Sequence, residues 1–255
     1  TREAKRAGFE HINLDVIYGT PTETDEDLQR TLDAVLEADV DHVSAYSLIV
    51  EDGTAMARKV RRGELPAPDE DTLADRYDAI DARLRQAGFN WYEVSNWVKP
   101  GGECQHNLIY WRSGQWWGAG PGAHGCVRLR GERHSESGLV RLVNAKRPAT
   151  YWDGLLGEGE GASTRKDGLP VPGSVVTTER LSNDDLRTEQ VMLQLRLAEG
   201  LQLAGSDENA ELQQVIERYT GLGLLDNRGE RLRLTDKGRY LADGIVTDIV
   251  LALGL

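Results

Sequence analysis

Cysteine is scarce in this chain: two residues in 255. That excludes a disulfide framework, and in a reducing compartment both side chains stay thiols, open to ligation or redox use. Positive charge is also in deficit, with 30 Lys and Arg against 42 Asp and Glu and a net charge of −12. Binding a phosphate backbone needs clustered cations that displace counterions, so nucleic acid is excluded as the main partner. No apolar run approaches the roughly 20 residues of a bilayer span. The opening TREAKRAGFE lacks the apolar stretch of a secretory signal. A cytoplasmic protein without a membrane span is expected. An initiator Met is lacking too, and residues 1–7 read as the closing turns of a helix, so a fragment is expected.

What the chain does have is concentrated in residues 91–126, WYEVSNWVKPGGECQHNLIYWRSGQWWGAGPGAHGC. This run holds both cysteines, two of the five histidines and five of the six tryptophans. Large rings gain most by burial, so such a run is costly as a plain surface loop. It marks a place where something is gripped.

The length allows one large domain or two unequal ones, and two are expected. After Gly8, residues 11–18 (HINLDVIY) form a strand in which Asp15 is anomalous. A carboxylate inside a sheet costs several kcal/mol unless it is paired, so Asp15 is either bonded to neighbours or a ligand contact. Thr22 or Thr24 caps a helix carrying Leu28, Leu32, Val35 and Leu36, and residues 42–50 form the next strand. Strand, helix, strand with short loops predicts parallel βαβ units, with ligands beyond the carboxyl ends of the strands, near Tyr18, Gly19 and Ser47. Residues 58–62 are a basic, solvated helix face, 69–86 a helix and 89–95 a third strand. Residues 125–135 read as a hairpin turning near Gly131, 139–146 and 150–154 as short helices, and 157–173 as a loop. Then come a helix capped by Ser182, a helix over 210–219, a hairpin turning at 227–229, and a last helix from Thr235. Helix, helix, wing and helix describe a winged-helix-like module. Its Arg228, Arg231 and Arg233 are outweighed by acidic residues, which favours packing or interaction over DNA.

Residues 104–126 support three readings. Cys104-x-His106 and His124-x-Cys126 mirror each other and supply the two Cys and two His of tetrahedral zinc, although the spacing is not that of a zinc knuckle. A purely structural reading makes Trp111, Trp116 and Trp117 core rings and the glycines close packers. The third is an aromatic-walled pocket for a flat ligand. If residues 106–111 (HNLIYW) are helical, His106 and Tyr110 share a face, as do Asn107 and Trp111. An imidazole with a phenol and an indole beside it suits an iron porphyrin.

The succession NLDVIYGTP at 13–21, AYSLIVEDGT at 45–54, YEVSNW at 92–97, HNLIYW at 106–111, GAGPGAHG at 118–125 and LTDKGRYLADGIV at 234–246 resembles the HemW group. Those are haem chaperones of the radical S-adenosylmethionine (SAM) superfamily, related to oxygen-independent coproporphyrinogen III oxidase. The HNxxYW element is the most specific part and separates the chaperones from the oxidases. The resemblance implies an α/β fold: an incomplete radical-SAM-type (β/α) barrel with parallel strands over 1–156, a linker over 157–181, and a mainly helical, winged-helix-like carboxyl-terminal domain over 182–255. It makes His106 the candidate haem contact or iron ligand, with Asn107, Tyr110 and Trp111 completing the motif. Asp15 corresponds to an aspartate that holds the ribose of SAM, and Ser47 to a position lining the adenosyl site. The family's Cys-x3-Cys-x2-Cys loop for a [4Fe–4S] cluster and its glycine-rich SAM segment are not in this chain, so neither the cluster nor radical chemistry is expected of these residues. The implied function is to bind haem and hand it to acceptors, cytochromes or other haem enzymes. A homodimer and a peripheral membrane contact are left open. The alternatives are a coproporphyrinogen III oxidase or dehydrogenase of porphyrin biosynthesis and a zinc-bound structural module; the chaperone is favoured over the oxidoreductase.

Overall fold

Five of the helices open on a side-chain oxygen that accepts from a first-turn amide. The Thr24 hydroxyl accepts from the Asp27 amide while the Asp27 carboxylate accepts from the Thr24 amide, a capping box that opens α2 (Asp25–Glu37). Asp69 caps α4 (Glu70–Gln86), Thr54 caps α3 (Ala55–Arg61), and Ser182 with Asp185 forms a second capping box at α7 (Asn183–Gln194). The computed structural model describes residues 1–129, 136–157, 169, 171–202 and 209–255. They fall into two compact units, 1–104 and 105–255. The boundaries expected at 156 and 182 run inside the second unit.

In the first unit a short helix, α1 (Arg2–Arg6), precedes β1 (Asn13–Tyr18), α2, β2 (His42–Ser47), α3, α4, β3 (Asn90–Glu93) and β4 (Asn96–Val98). β1 and β2 are parallel, joined through α2 as the periodicity predicts. The sheet order is β1-β2-β4-β3. The third strand therefore departs from expectation: the chain turns back at Val94 and Ser95, and β4 lies between β2 and β3, antiparallel to both. The sheet is mixed rather than parallel. The return went unread because no Gly or Asn-Gly marks the turn and because a three-residue strand has too little pattern to read. One face of the sheet packs Val16, Tyr18, Val43, Ala45 and Trp97 against Leu28, Leu32 and Val35 of α2 and Ile80 and Leu84 of α4.

The second unit holds α5 (Gln105–Trp111), β5 (His124–Arg128), β6 (Leu139–Asn144), α6 (Pro148–Leu156), β7 (Val175–Arg180), α7, β8 (Leu201–Gln202), α8 (Ala210–Gly221), β9 (Leu225–Asp226), β10 (Arg231–Leu234) and α9 (Ala242–Ala252). Residues 139–146, expected as a short helix, are instead the central strand of the antiparallel sheet β5-β6-β7. LVRLVN is a short apolar run that periodicity alone cannot assign, and its two valines favour the pleated surface. Of the hairpin expected over 125–135 only the first strand, in β5, falls in the described residues; β5 pairs instead with β6, beyond that range, and the turn near Gly131 lies outside the described residues, as does most of the 157–173 loop. β10 lies between β8 and β9, antiparallel to each. The Thr235 hydroxyl accepts from the Gly238 amide at the start of a 3-10 turn, Gly238–Leu241, and α9 follows only at Ala242. Val191, Leu212, Ile216, Leu232, Ile245 and Ile249 form the core of this end of the unit.

Candidate functional site

Helix α5 brings two of the expected site residues together. His106 and Tyr110 are one turn apart, and their side chains meet at 3.0 Å between Nε2 and the phenol oxygen. The rings stand edge to face, with centroids 4.9 Å apart at 87°. Tyr110 in turn lies 4.6 Å from the Trp116 ring at 65°, a T-shaped succession of imidazole, phenol and indole. His106 is exposed, while Asn107, Tyr110 and Trp111 are half-buried. The buried Leu108 holds the helix down between them.

The glycine run behind these rings is a backbone device. Trp116 exchanges two 2.9 Å backbone hydrogen bonds with Cys126, and its Nε1–H donates to the His124 carbonyl at 3.1 Å. A side chain at Gly118 would place its Cβ 2.4 Å from that carbonyl oxygen, so only glycine lets the chain pass. The buried Asn144 Nδ2 donates to the carbonyls of Gly118 and Gly120 at 2.9 and 3.0 Å, and the Tyr151 hydroxyl accepts from the Gly120 amide at 3.1 Å. Asn144 was not foreseen; it lies 24 residues beyond the loop it folds.

The zinc arrangement does not assemble. Cys126 packs into an apolar cluster with Leu139, Leu181, Trp116 and Leu186, and burial pushes its thiol above the ordinary value. Among the described residues no three His, Cys, Asp or Glu side chains come together to hold a metal ion.

Asp15 and Ser47 are in the first unit and lie on opposite faces of its sheet. Asp15 is paired in register with Ser44, and side chains alternate along a strand, so Ser47 points with Tyr18 towards the helices. The two share a side-chain hydrogen bond, and burial raises the Tyr18 phenol above its ordinary value. Asp15 is exposed, not buried, so it carries no desolvation cost.

On Asp15's face the strands build a polar chain that sequence reading missed. Asn13 Nδ2 donates to Asp15 Oδ1 at 2.6 Å, and Asn13 Oδ1 accepts from His42 Nδ1 at 2.6 Å and from the Ser44 hydroxyl at 3.3 Å. His42 Nε2 lies 2.8 Å from the Tyr92 hydroxyl. Because Asn13 Oδ1 can only accept, His42 carries its proton on Nδ1 and its Nε2 accepts from Tyr92. Burial lowers the His42 pKa, which keeps the ring neutral. Burial, then the Glu93 charge, holds the Tyr92 phenol well above its ordinary value. Beside Ser44, the Asn96 Oδ1 is buried without a hydrogen-bond partner. A hydroxyl or amine of a ligand can satisfy such an acceptor. Asp15 and Ser47, the two candidate SAM contacts, thus present their side chains on opposite faces of the sheet.

His42 also sets an acid limit. The unfolded chain takes up a proton on this imidazole near pH 6.5, whereas the folded chain does so only at lower pH. Stability is therefore complete above that value and falls as the pH drops through it. The exposed His11 works oppositely: its hydrogen bond to Asp41 raises its pKa, giving stability that is lost as the pH rises. Urea unfolding of the first unit is expected at a lower midpoint at pH 5 than at pH 7, and His42→Gln is expected to flatten that dependence. An unchanged slope in the variant places the acid sensitivity elsewhere.

Comparison with known proteins covers almost all of the chain. Residues 181–241 match the HemN C-terminal domain. The heme chaperone HemW of Mycobacterium tuberculosis is 52% identical over 97% of this chain and 57% of its own length. HemW of Lactococcus lactis is 33% identical over 97% of this chain and 60% of its own length. The mitochondrial radical S-adenosyl methionine domain-containing protein 1 of Bos taurus is 33% identical over 97% and 55%. The chain thus spans a little over half the length of these relatives. A solved structure, described as the coproporphyrinogen III oxidase HemN of Escherichia coli, a radical SAM enzyme, superposes with a TM-score of 0.69 over 97% of this chain and 56% of that one. Its identity is 21%, so it speaks to the fold alone. The chain is HemW-like over nearly its whole length, with residues 181–241 matching the HemN C-terminal domain.

Proposed function

We propose that this chain is the haem-handling part of a haem chaperone, which holds haem at α5 and passes it to haem-requiring acceptors. The observation that carries the reading is the exposed His106 imidazole with Tyr110 and Trp116 ranged behind it, in a chain 52% identical to a named heme chaperone. Iron needs a nitrogen with a free lone pair, which Nδ1 supplies when the Nε2–H donates to the Tyr110 oxygen, and the porphyrin needs aromatic edges to lie against. His106 is the proposed iron contact, and Asn107, Tyr110 and Trp111 shape its surroundings. Non-catalytic holding followed by release requires only that the site be open, and an exposed ring meets that condition.

In the same reading the first unit contributes strands of a radical-SAM-type barrel, and residues 182–255 form the winged-helix-like module. SAM supplies a source of adenosyl radical when a cluster is present; here Asp15 is the residue proposed to hold its ribose hydroxyls, oriented by Asn13. The acceptors are proposed to be cytochromes or other haem enzymes, and the setting the cytoplasm.

Transfer is tested by loading the chain with haem and mixing it with an apo-peroxidase. Peroxidase activity is expected to appear while the chain's own Soret band decays. If the band persists and no activity appears, the chain binds without delivering, and the chaperone reading is lost. Coproporphyrinogen oxidation by the same preparation would instead favour the oxidase.

A further inference from the structure

Helix α5 has seven residues, fewer than two full turns. A helix that short is not stable by itself in water, so its place is set by what its side chains touch. Leu108 anchors its middle. Its carboxyl end is held by Arg112, whose Nε and Nη2 donate to the two carboxylate oxygens of Glu199 at 3.0 and 2.8 Å. This is the fork-on-fork geometry that fixes direction as well as distance.

Glu199 is itself immobilised. Its backbone carbonyl accepts from Arg231 Nε at 3.0 Å and from Arg233 Nε at 3.2 Å, and the next carbonyl, of Gly200, accepts from Arg231 Nη2 at 2.7 Å. Gly200 stands at φ +76°, where a Cβ would lie 2.3 Å from the Leu232 carbonyl oxygen. Two of the three arginines on the β9–β10 hairpin, Arg231 and Arg233, are thus engaged within the module, on the backbone that presents Glu199. One carboxylate, set by β10, reaches the last turn of the helix that carries His106 and Tyr110.

We propose that Glu199 is a positioning residue for the haem contact, acting through Arg112 to fix the angle at which α5 presents His106. The proposal rests on His106 being that contact. It gives the carboxyl-terminal module a task in haem binding that does not require the module to touch haem.

The pair is about half exposed, with side chains at 48% and 36%, so its loss is expected to cost little stability and to show in the site instead. The test is a haem titration of the whole chain as wild type, Glu199→Gln, Glu199→Asp, Arg112→Ala, the Arg112→Ala/Glu199→Gln double variant, and His106→Ala. Glu199→Gln is expected to bind haem about threefold to fivefold more weakly, with a shifted and broadened Soret band and an unfolding midpoint close to wild type. Glu199→Asp is expected to recover part of the band shape, and the double variant to be no weaker than the weaker single one, because both remove the same contact. If Glu199→Gln and Arg112→Ala both keep the wild-type affinity and band, the proposal is overturned while the role of His106 stands. If His106→Ala binds as wild type does, the haem contact is elsewhere and the proposal falls with it.

Discussion

Trp97→Ala is expected to remove about 3–5 kcal/mol from the first unit, the usual range for deleting a large buried ring. Trp97 is fully buried at the centre of the core cluster formed by the sheet with α2 and α4. Its ring lies 5.3 Å from Tyr77, and its Nε1–H donates to Asp81 Oδ1 at 2.7 Å. The alanine would leave a cavity and withdraw a donor from Asp81, which keeps Arg85 at 2.9 Å. Trp97→Phe separates the two effects: it keeps most of the ring and is expected to cost about 1–2 kcal/mol for the lost hydrogen bond. Hydrogen exchange of the β1 and β2 amides reads both losses. An alanine variant whose amides exchange like wild type would mean that Trp97 is not what holds the sheet to α4. Trp97, the last residue of the YEVSNW motif that carries part of the family resemblance, is on this account a core residue.

The second large effect is expected at Arg76, one of the few charged residues buried among the described residues. Its guanidinium donates to Glu23 Oε2 at 2.7 Å and to the Glu23 carbonyl at 2.5 Å, and Glu23 Oε2 also accepts from the Gly19 amide at 2.6 Å. The pair therefore ties the loop after β1 to α4. Arg76→Met leaves the Glu23 carboxylate buried without its cation, a change that typically costs about 3–5 kcal/mol. Adding Glu23→Gln removes the stranded charge but keeps an acceptor for Gly19, so the double variant is expected to regain most of that loss in urea unfolding. A double variant as unstable as the single one would show that the cost lies in lost packing of the arginine stem.

How far the sequence speaks depends on how local the cause is. The helix starts at Thr24, Asp69 and Ser182 are legible because cap and capped amide are three residues apart. The His106–Tyr110 pair is legible for the same reason, since one helical turn brings the fourth residue back. The β4 return and the β6 strand are decided by partners far along the chain, and in a run as short as LVRLVN the lean of two valines towards a strand is too weak to settle whether it will coil or pair. The polar chain through Asn13, His42 and Tyr92 spans separations of 29 and 50 residues. Only the sheet order brings them side by side. Ser47 shows the same limit in reverse: Asp15 is the third residue of β1 and Ser47 the last of β2, and the three-residue offset in register puts them on opposite faces.

The central claim is that α5 handles haem through His106. Titrating wild type and His106→Ala with haem, followed at the Soret band, tests it most directly. The account predicts a saturable band for wild type and a loss of at least about tenfold in affinity for the variant, equivalent to about 1.4 kcal/mol. Equal binding by the two proteins would contradict it.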